Sequence, residues 1–291
     1  MRDLLGREIN YLRISLTQDC NLNCIYCHRE GQENIDTTLT LKILERMVKD
    51  FASLGIKRVK LTGGEPLLRT DIVDIVRTIA YISEIEEISL VTNGFFLPPL
   101  AEQLKAAGLN RVSIGCDTVD NCMPKNIHTA WPAIQAAKKA GLDPIKINIV
   151  VLKGINDHQI MEMIEFARDQ QVILQLNELI KLNIDEEFHA LYYLNLGQIE
   201  ESLARKATRI ITRKMQARRQ YFLGKTTVEV IKPMHQIFCQ NCNKIRITSD
   251  GKIKPCLMVN KNLVEYHTKD SILEALKRRG KGNDKDDRYF C

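Results

Sequence analysis

The 291-residue chain contains no run of 18 apolar residues, the length a helix needs to cross a bilayer, so no membrane-spanning segment is expected. Its first residues, Met1 to Glu8, lack the apolar core of a signal peptide, and cytoplasmic residence is the expectation. There is no low-complexity tract and no internal repeat beyond an alternation of strand-like and helix-like stretches, which excludes repeat arrays and disordered linkers. A fourth cysteine is also missing, twice. Of nine cysteines, six fall in two tight groups, Cys20/Cys24/Cys27 and Cys239/Cys242/Cys256, while Cys116, Cys122 and Cys291 are scattered. In a reducing compartment, grouped cysteines read as metal sites more readily than as disulfides. A closed structural zinc site takes four protein ligands. Three thiolates instead suit a cubane iron–sulfur cluster, holding three irons and leaving the fourth open.

What is present fits a globular domain. The chain is 44% hydrophobic and 27% charged, enough to bury a full core in one large domain or one domain with a smaller module. The net charge of +6 allows a phosphorylated or nucleic-acid partner. Alternation predicts strands over 11–16, 58–61, 87–91, 111–114, 146–151 and 173–178. Helical spacing predicts helices over 41–54 (capped by Thr40, stopped at Gly55), from about Asp71, over 100–107 after a break at Pro98 and Pro99, over 129–140, and from an Asp157 cap to about Asp169. Six strand–helix units argue for parallel strands with crossover helices, in an open sheet or an incomplete (βα)6 barrel of the TIM type. In both, functional loops lie at the carboxyl ends of strands. The first cysteine loop, the loop Gly63-Gly64-Glu65-Pro66, the loop at Thr92-Asn93-Gly94, and Asp117 all fall there. Residues 185–219 read as helical and become basic through Arg205, Lys206, Arg209, Arg213, Lys214, Arg218 and Arg219: a solvated face, or a nucleic-acid patch with only Tyr221 and Phe222 as aromatics. From Thr227 short strands and turns suggest a small C-terminal module, placing a boundary between residues 1–222 and 223–291.

Each cysteine group has a plain alternative. The first could be a zinc knuckle completed by His28, and the second a zinc ribbon completed by His235 or Cys291. Against this, the spacing Cys20-x3-Cys24-x2-Cys27, with Tyr26 before the last cysteine, resembles the signature of the radical S-adenosylmethionine enzymes. The Gly-Gly-Glu-Pro loop on the next strand matches that superfamily's second motif. Glycine lets backbone approach a ligand closely. At the second group, Lys244 and Arg246 alternate on a strand, so both point to one face beside the metal, as an anionic ligand such as a triphosphate would require.

The resemblance then narrows. Tyr11 to Cys27, Lys60 to Arg69, Ile145 to Asn148 with Lys153 to Asn156, and the second cysteine group are together similar to the GTP 3′,8-cyclase family (molybdenum cofactor biosynthesis protein A), with Cys27-His28-Arg29-Glu30-Gly31 closest to shorter archaeal-type members. This resemblance implies two [4Fe-4S] clusters, one on Cys20, Cys24 and Cys27 and one on Cys239, Cys242 and Cys256. It implies that S-adenosylmethionine is cleaved to a 5′-deoxyadenosyl radical, which abstracts the ribose H3′ of GTP so that the carbon radical adds to guanine C8. It places Tyr26, Gly64, Glu65, Asn93 and Gly115 at the S-adenosylmethionine site. Arg13, Lys60, Val91, Lys146, Lys244, Ile245 and Arg246 fall at the GTP site, Arg246 also among the catalytic groups. Its partners would be GTP, an electron donor such as ferredoxin or flavodoxin, and cyclic pyranopterin monophosphate synthase downstream; a homodimer is compatible with it.

The chain departs from the family at several of these positions. Val91 stands where Thr is usual, Gly115 where Ser is usual, Gln175 where many members have Arg, and a Met is usual near Ile180. The chain ends Arg288 to Cys291 instead of in a Gly-Gly tail. Two other readings follow from these departures and the basic run. One is a radical enzyme acting on a peptide or tRNA, and the other a non-enzymatic zinc protein binding nucleic acid through its basic helix. Cys116 and Cys122 read as small hydrophobes, and His128, His158, His189 and His267 as surface or capping residues.

Overall fold

The computed structural model describes residues 1–32, 38–233 and 235–279. Cys291 and the tail from Arg288 lie outside the described residues. Six strands follow one another as expected: β1 (Tyr11–Ser15), β2 (Arg58–Thr62), β3 (Glu87–Thr92), β4 (Arg111–Gly115), β5 (Lys146–Val151) and β6 (Ile173–Glu178). Between them run α1 (Leu41–Ser53), α2 (Ile72–Ala80), α3 (Leu97–Ala106), α4 (Ile127–Lys139) and α5 (Ile160–Asp169). All six strands are parallel and lie in chain order, the arrangement of an incomplete barrel.

Local chemistry explains the boundaries. Thr40 Oγ1 accepts from Ile43 N at the start of α1, and Gly55 takes a positive φ of 101° just beyond its end. Pro98 and Pro99 do not break the chain as expected. They sit in the first turn of α3, where the missing N–H would have had no helical partner. Asn126, not Thr129, begins α4, its Oδ1 accepting from His128 N and Thr129 N. Asp157 does not cap α5; its Oδ1 accepts from Gly154 N at 2.8 Å, closing the turn before a short 3-10 segment at Asp157–Gln159.

The largest correction concerns the basic stretch. Residues 185–219 hold two helices, α6 (Glu186–Tyr192) and α7 (Gly197–Lys206), then β7 (Arg209–Thr212) and the start of β8 (Arg219–Leu223). Only Arg205 and Lys206 of the basic run lie on a helix, so the single basic helix of the nucleic-acid reading is absent. Strand β7 pairs antiparallel with β8, and β8 with β9 (Thr226–Ile231). Beyond it come α8 (Gln236–Gln240), β10 (Lys244–Ile247), β11 (Ile253–Lys254) and α9 (Lys269–Arg278). The described strands form one sheet in the order β11-β10-β1-β2-β3-β4-β5-β6-β9-β8-β7. Strand β10 adds parallel to β1 and β9 parallel to β6, so the C-terminal strands extend both edges of the same sheet.

The two faces of that sheet differ in kind. On the helix side, Leu12, Ile14, Leu61, Leu90, Ile147, Leu174, Val228 and Ile245 join one buried core with Leu44, Phe51, Ile75, Ile134 and Met163 of the helices. Each such side chain contributes about 1.5–3 kcal/mol by leaving water. The alternate positions face inward, and the register aligns them: Arg246, Arg13 and Lys60 in one row, Lys60, Ser89 and Arg111 continuing it, then Ser113 with Lys146, and Gln175 with Glu229. A barrel interior is ordinarily filled by bulky apolar layers; this one is polar and cationic. Its open side is drawn together by the turn at Met215–Ala217. There Gln216 N donates to Asn241 O at 2.8 Å and Gln216 Oε1 accepts from Lys244 Nζ at 2.9 Å, joining the β7–β8 edge to β10.

Candidate active site

The first cysteine group lies in the loop leaving β1. Cys20 and Cys27 are exposed, Cys24 is half-buried, and none is in a disulfide. The Gly-Gly-Glu-Pro loop lies backbone against backbone on this loop. Gly64 N donates to Thr17 O at 2.8 Å and Glu65 N to Asp19 O at 2.7 Å. A Cβ on Gly64 would stand 2.1 Å from Asp19 O, and one on Gly63 2.4 Å from Thr17 O, so no residue with a side chain fits at either position. Glu65 is fully buried, and its carboxylate accepts from Leu67 N, Thr92 Oγ1 and Asn93 N at 3.0, 2.8 and 2.7 Å. It braces the end of β3 rather than opening toward a ligand, and burial pushes its carboxyl up. Asn93, held by that brace, donates to Asn21 Oδ1 at 2.7 Å and lies 4.0 Å from Cys20 Sγ. Tyr26 is buried and donates to Asp117 Oδ2. Gly115 ends β4 at the same rim.

The inner face beyond these loops carries all five basic residues expected there. Arg13 is paired with Glu30, which also accepts from Thr62 Oγ1. Lys60 has no ion-pair partner among the described residues. Burial, reinforced by Arg111, Arg13, Lys146 and Arg218, drives its ammonium well below the usual lysine range. Lys244 is driven down likewise, by burial and then Arg218, Arg13 and Lys60, and it lies 5.7 Å from the centre of the Tyr11 ring. Lys146 is lowered to about 8, chiefly by burial, although Glu229 Oε1 and Oε2 accept from it at 2.8 and 3.0 Å. Arg246 is buried with its Nε unpartnered. Val91 is half-buried in register with Ser113. Ile245 is different: its side chain is in the helix-side core and is not among the inner-face groups.

The second cysteine group lies beside this cationic face. Cys239, Cys242 and Cys256 are half-buried and free of disulfides. Burial works to raise the Cys242 thiol, but Arg279, Arg246 and Lys244 together bring it to about 7. Arg279 donates to Cys242 O and Lys244 O at 2.9 and 3.1 Å, and Arg7 to Cys239 O at 2.9 Å. His235 turns its Nε2 toward Glu178 Oε2 at 3.3 Å. His28 is half-buried beside Glu30, Arg13 and Arg246.

Several groups were not anticipated. Glu30 reaches into the cationic face from a residue at φ 54°, and Arg13, His28 and Arg246 hold its carboxyl at about 2 against its burial. Glu229 is buried and accepts from Lys146, Gln175, Gln220 and Arg213. Arg111 pairs with Glu87 at 2.6 Å. The strand alternation that placed Arg13 and Lys60 also placed Arg111 and Glu229; Glu30 lies in the short 3-10 segment Arg29–Gly31, too short for a period to be read.

Among the described residues no three His, Cys, Asp or Glu side chains gather tightly enough for one metal ion. A cubane instead takes its thiolates at separate corners. Each set offers three thiols that are in no disulfide, the donor type such a cluster takes.

Residues 14–167 match the model of the Radical SAM superfamily, and residues 172–281 that of Molybdenum Cofactor Synthesis C. The chain is 41% identical to the probable GTP 3′,8-cyclase of Methanothermobacter marburgensis, over 94% of this chain and 95% of that protein. It is 39% identical to that of Archaeoglobus fulgidus (96% and 98%) and 43% identical to that of Pyrococcus abyssi (90% and 89%). Among solved structures it resembles Streptococcus suis SuiB bound to the precursor peptide SuiA, with a TM-score of 0.67 and 16% identity over 87% of this chain and 60% of that longer one. It also resembles anSMEcpe with bound AdoMet, with a TM-score of 0.57 and 18% identity over 91% and 79%. At these identities the structural likenesses speak for the fold alone.

Proposed function

The chain belongs to the radical SAM superfamily and, within it, to the GTP 3′,8-cyclase family; from that premise we propose how its residues divide the work. It is a GTP 3′,8-cyclase that uses an iron–sulfur cluster and S-adenosylmethionine to convert GTP to 3′,8-cyclo-7,8-dihydro-GTP for molybdenum cofactor synthesis. When bound, cluster and S-adenosylmethionine together supply a one-electron cleavage that yields methionine and a 5′-deoxyadenosyl radical able to take the ribose H3′ of GTP.

Cys20, Cys24 and Cys27 hold the first cluster. Tyr26, Gly64, Asn93 and Gly115 surround S-adenosylmethionine, with Glu65 fixing Asn93 in place. Cys239, Cys242 and Cys256 hold a second cluster beside the substrate. Arg13, Lys60, Lys146, Lys244 and Arg246 bind the triphosphate, whose charge of about −4 offsets the crowding that depresses the lysines. Val91 borders the same space. Residues 1–222 carry the radical half and 223–291 the second-cluster half. A one-electron donor of ferredoxin or flavodoxin type and a cyclic pyranopterin monophosphate synthase act before and after this step.

The observation that carries this reading is one row of cations on one sheet face between two three-cysteine groups. Its test is anaerobic turnover with GTP, dithionite and S-adenosylmethionine. The expected product has the mass of GTP and an altered retention time, accompanied by 5′-deoxyadenosine. Cleavage of S-adenosylmethionine with GTP left intact would remove GTP as the substrate.

A further inference from the structure

Lys125 lies in the loop between β4 and α4 and turns back over the end of β4. A Cβ built on Gly115 would stand 2.7 Å from Lys125 Cδ and 3.4 Å from its Nζ, so the lysine occupies the space a side chain at 115 would take. Its ammonium is 3.4 Å from Asp117 Oδ2 and 4.8 Å from the centre of the Tyr26 ring. Asp117 cannot turn away, because Tyr26 donates to Oδ2 and Val150 N to Oδ1 at 3.1 Å. The lysine side chain is 18% exposed, and among charged groups it acts most strongly on Cys24. An ammonium has three donors. Asp117 and the ring face engage part of it, and the remainder is a fixed positive charge at the rim of the first cysteine group.

We propose that Lys125 binds the methionyl carboxylate of S-adenosylmethionine, using the space that Gly115 leaves open. The carboxylate is the only anionic group of that cofactor; its sulfonium and amino groups would be repelled. Two features make the site a built one. The Tyr26–Asp117 pair fixes the direction of approach, and a glycine at 115 is what admits the lysine stem. This assignment rests on the reading of the chain as a radical SAM enzyme.

The test uses the reconstituted enzyme under anaerobic conditions and measures binding of S-adenosylmethionine and of its decarboxylated analogue by equilibrium dialysis. Lys125→Met should weaken S-adenosylmethionine by roughly tenfold or more, the range of a hydrogen bond to a charged group, and leave the decarboxylated analogue nearly unchanged. The wild-type preference for the carboxylated form should therefore shrink by the same factor. A merely structural lysine would weaken both ligands equally, and that result overturns the proposal. Gly115→Ala gives a second route, since its Cβ displaces only a flexible side chain. It should reproduce the selective loss, and Lys125→Met on top of it should add nothing further. Losses that multiply in the double variant would also overturn the assignment. A wild-type enzyme binding neither ligand would reject the radical SAM reading itself, whereas wild-type binding with an unchanged preference in Lys125→Met rejects Lys125 alone.

Discussion

Around Cys20 and Cys24 the neighbouring ionisable groups include Glu65 and Asp117, and burial pushes both thiols up. Around Cys242 they are Arg279, Arg246 and Lys244, which overcome burial and draw the thiol down to about 7. Three cysteines are present in each group, yet the fields around them are opposite. An acid-flanked cluster site with one nearby cation, Lys125, suits a zwitterionic cofactor that brings its own positive sulfonium. A cation-flanked site suits a polyanion. The difference supports the proposed placement of cofactor at one end of the sheet face and GTP at the other, which cysteine counting alone could not do.

The sharpest way to break this comparison is to remove one cysteine from each group. Cys24→Ala should lose S-adenosylmethionine cleavage to background and fall from about eight irons per chain to about four, while GTP still protects it against heat. Cys242→Ala should do the reverse, keeping cleavage and losing GTP protection. Iron analysis, 5′-deoxyadenosine yield and thermal melts read the three quantities. If both variants lose both ligands alike, the division of labour is gone.

A smaller effect is expected at the balance of charge beneath the GTP end. Glu229 is buried and accepts from Lys146, Arg213, Gln175 and Gln220. Glu229→Leu strands the Lys146 ammonium and should cost about 3–5 kcal/mol in denaturant unfolding, as breaking a buried pair does. The sign of its pH dependence follows from the direction of the shift. The folded carboxyl is held at about 2, below the ordinary unfolded value near 4.3. Its contribution is therefore present above about pH 4.3 and is lost as pH falls toward 2. The variant should show a shallower acid limb than the wild type; an unchanged limb would mean that Glu229 is not the counter-ion the geometry makes it.

Much of this was legible in the residues, for a physical reason. Parallel strands in chain order are local units joined by helices with visible caps, so Tyr11–Ser15 through Ile173–Glu178 declare themselves by period. The same alternation places Arg13, Lys60, Lys146, Lys244 and Arg246 on one face, and it should have excluded the Ile245 side chain, which lies between two inward cations. The stretch from Arg209 to Leu223 did not declare itself. Strand β7 is exposed along its whole length, so it has no apolar alternation, and it is held by its pairing with β8 rather than by its own sequence. The joining of β9 to β6 and β10 to β1 is likewise a long-range choice. Glu30 lies in a three-residue 3-10 segment and Lys125 in a loop, where only the packed structure shows what a side chain meets.

The subtlest consequence of the two opposed fields is a proton. Lys60 and Lys244 are held well below the usual lysine range, and Lys146 at about 8, largely because burial and neighbouring cations disfavour a further charge. A triphosphate reverses that penalty, so each lysine is more basic with GTP bound than without it. Binding must then take up protons where the free and bound values differ, between about pH 8 for Lys146 and the ordinary lysine value near 10.4. GTP affinity should fall with rising pH in that window, by at most about tenfold per pH unit for each linked lysine. Calorimetry near pH 8.5 in buffers of different ionisation heat reads the uptake directly, and Lys60→Met should reduce it. S-adenosylmethionine, bound at the other end, should show no comparable uptake. Equal proton linkage for both ligands would mean that the cation-rich field does not belong to the GTP site alone.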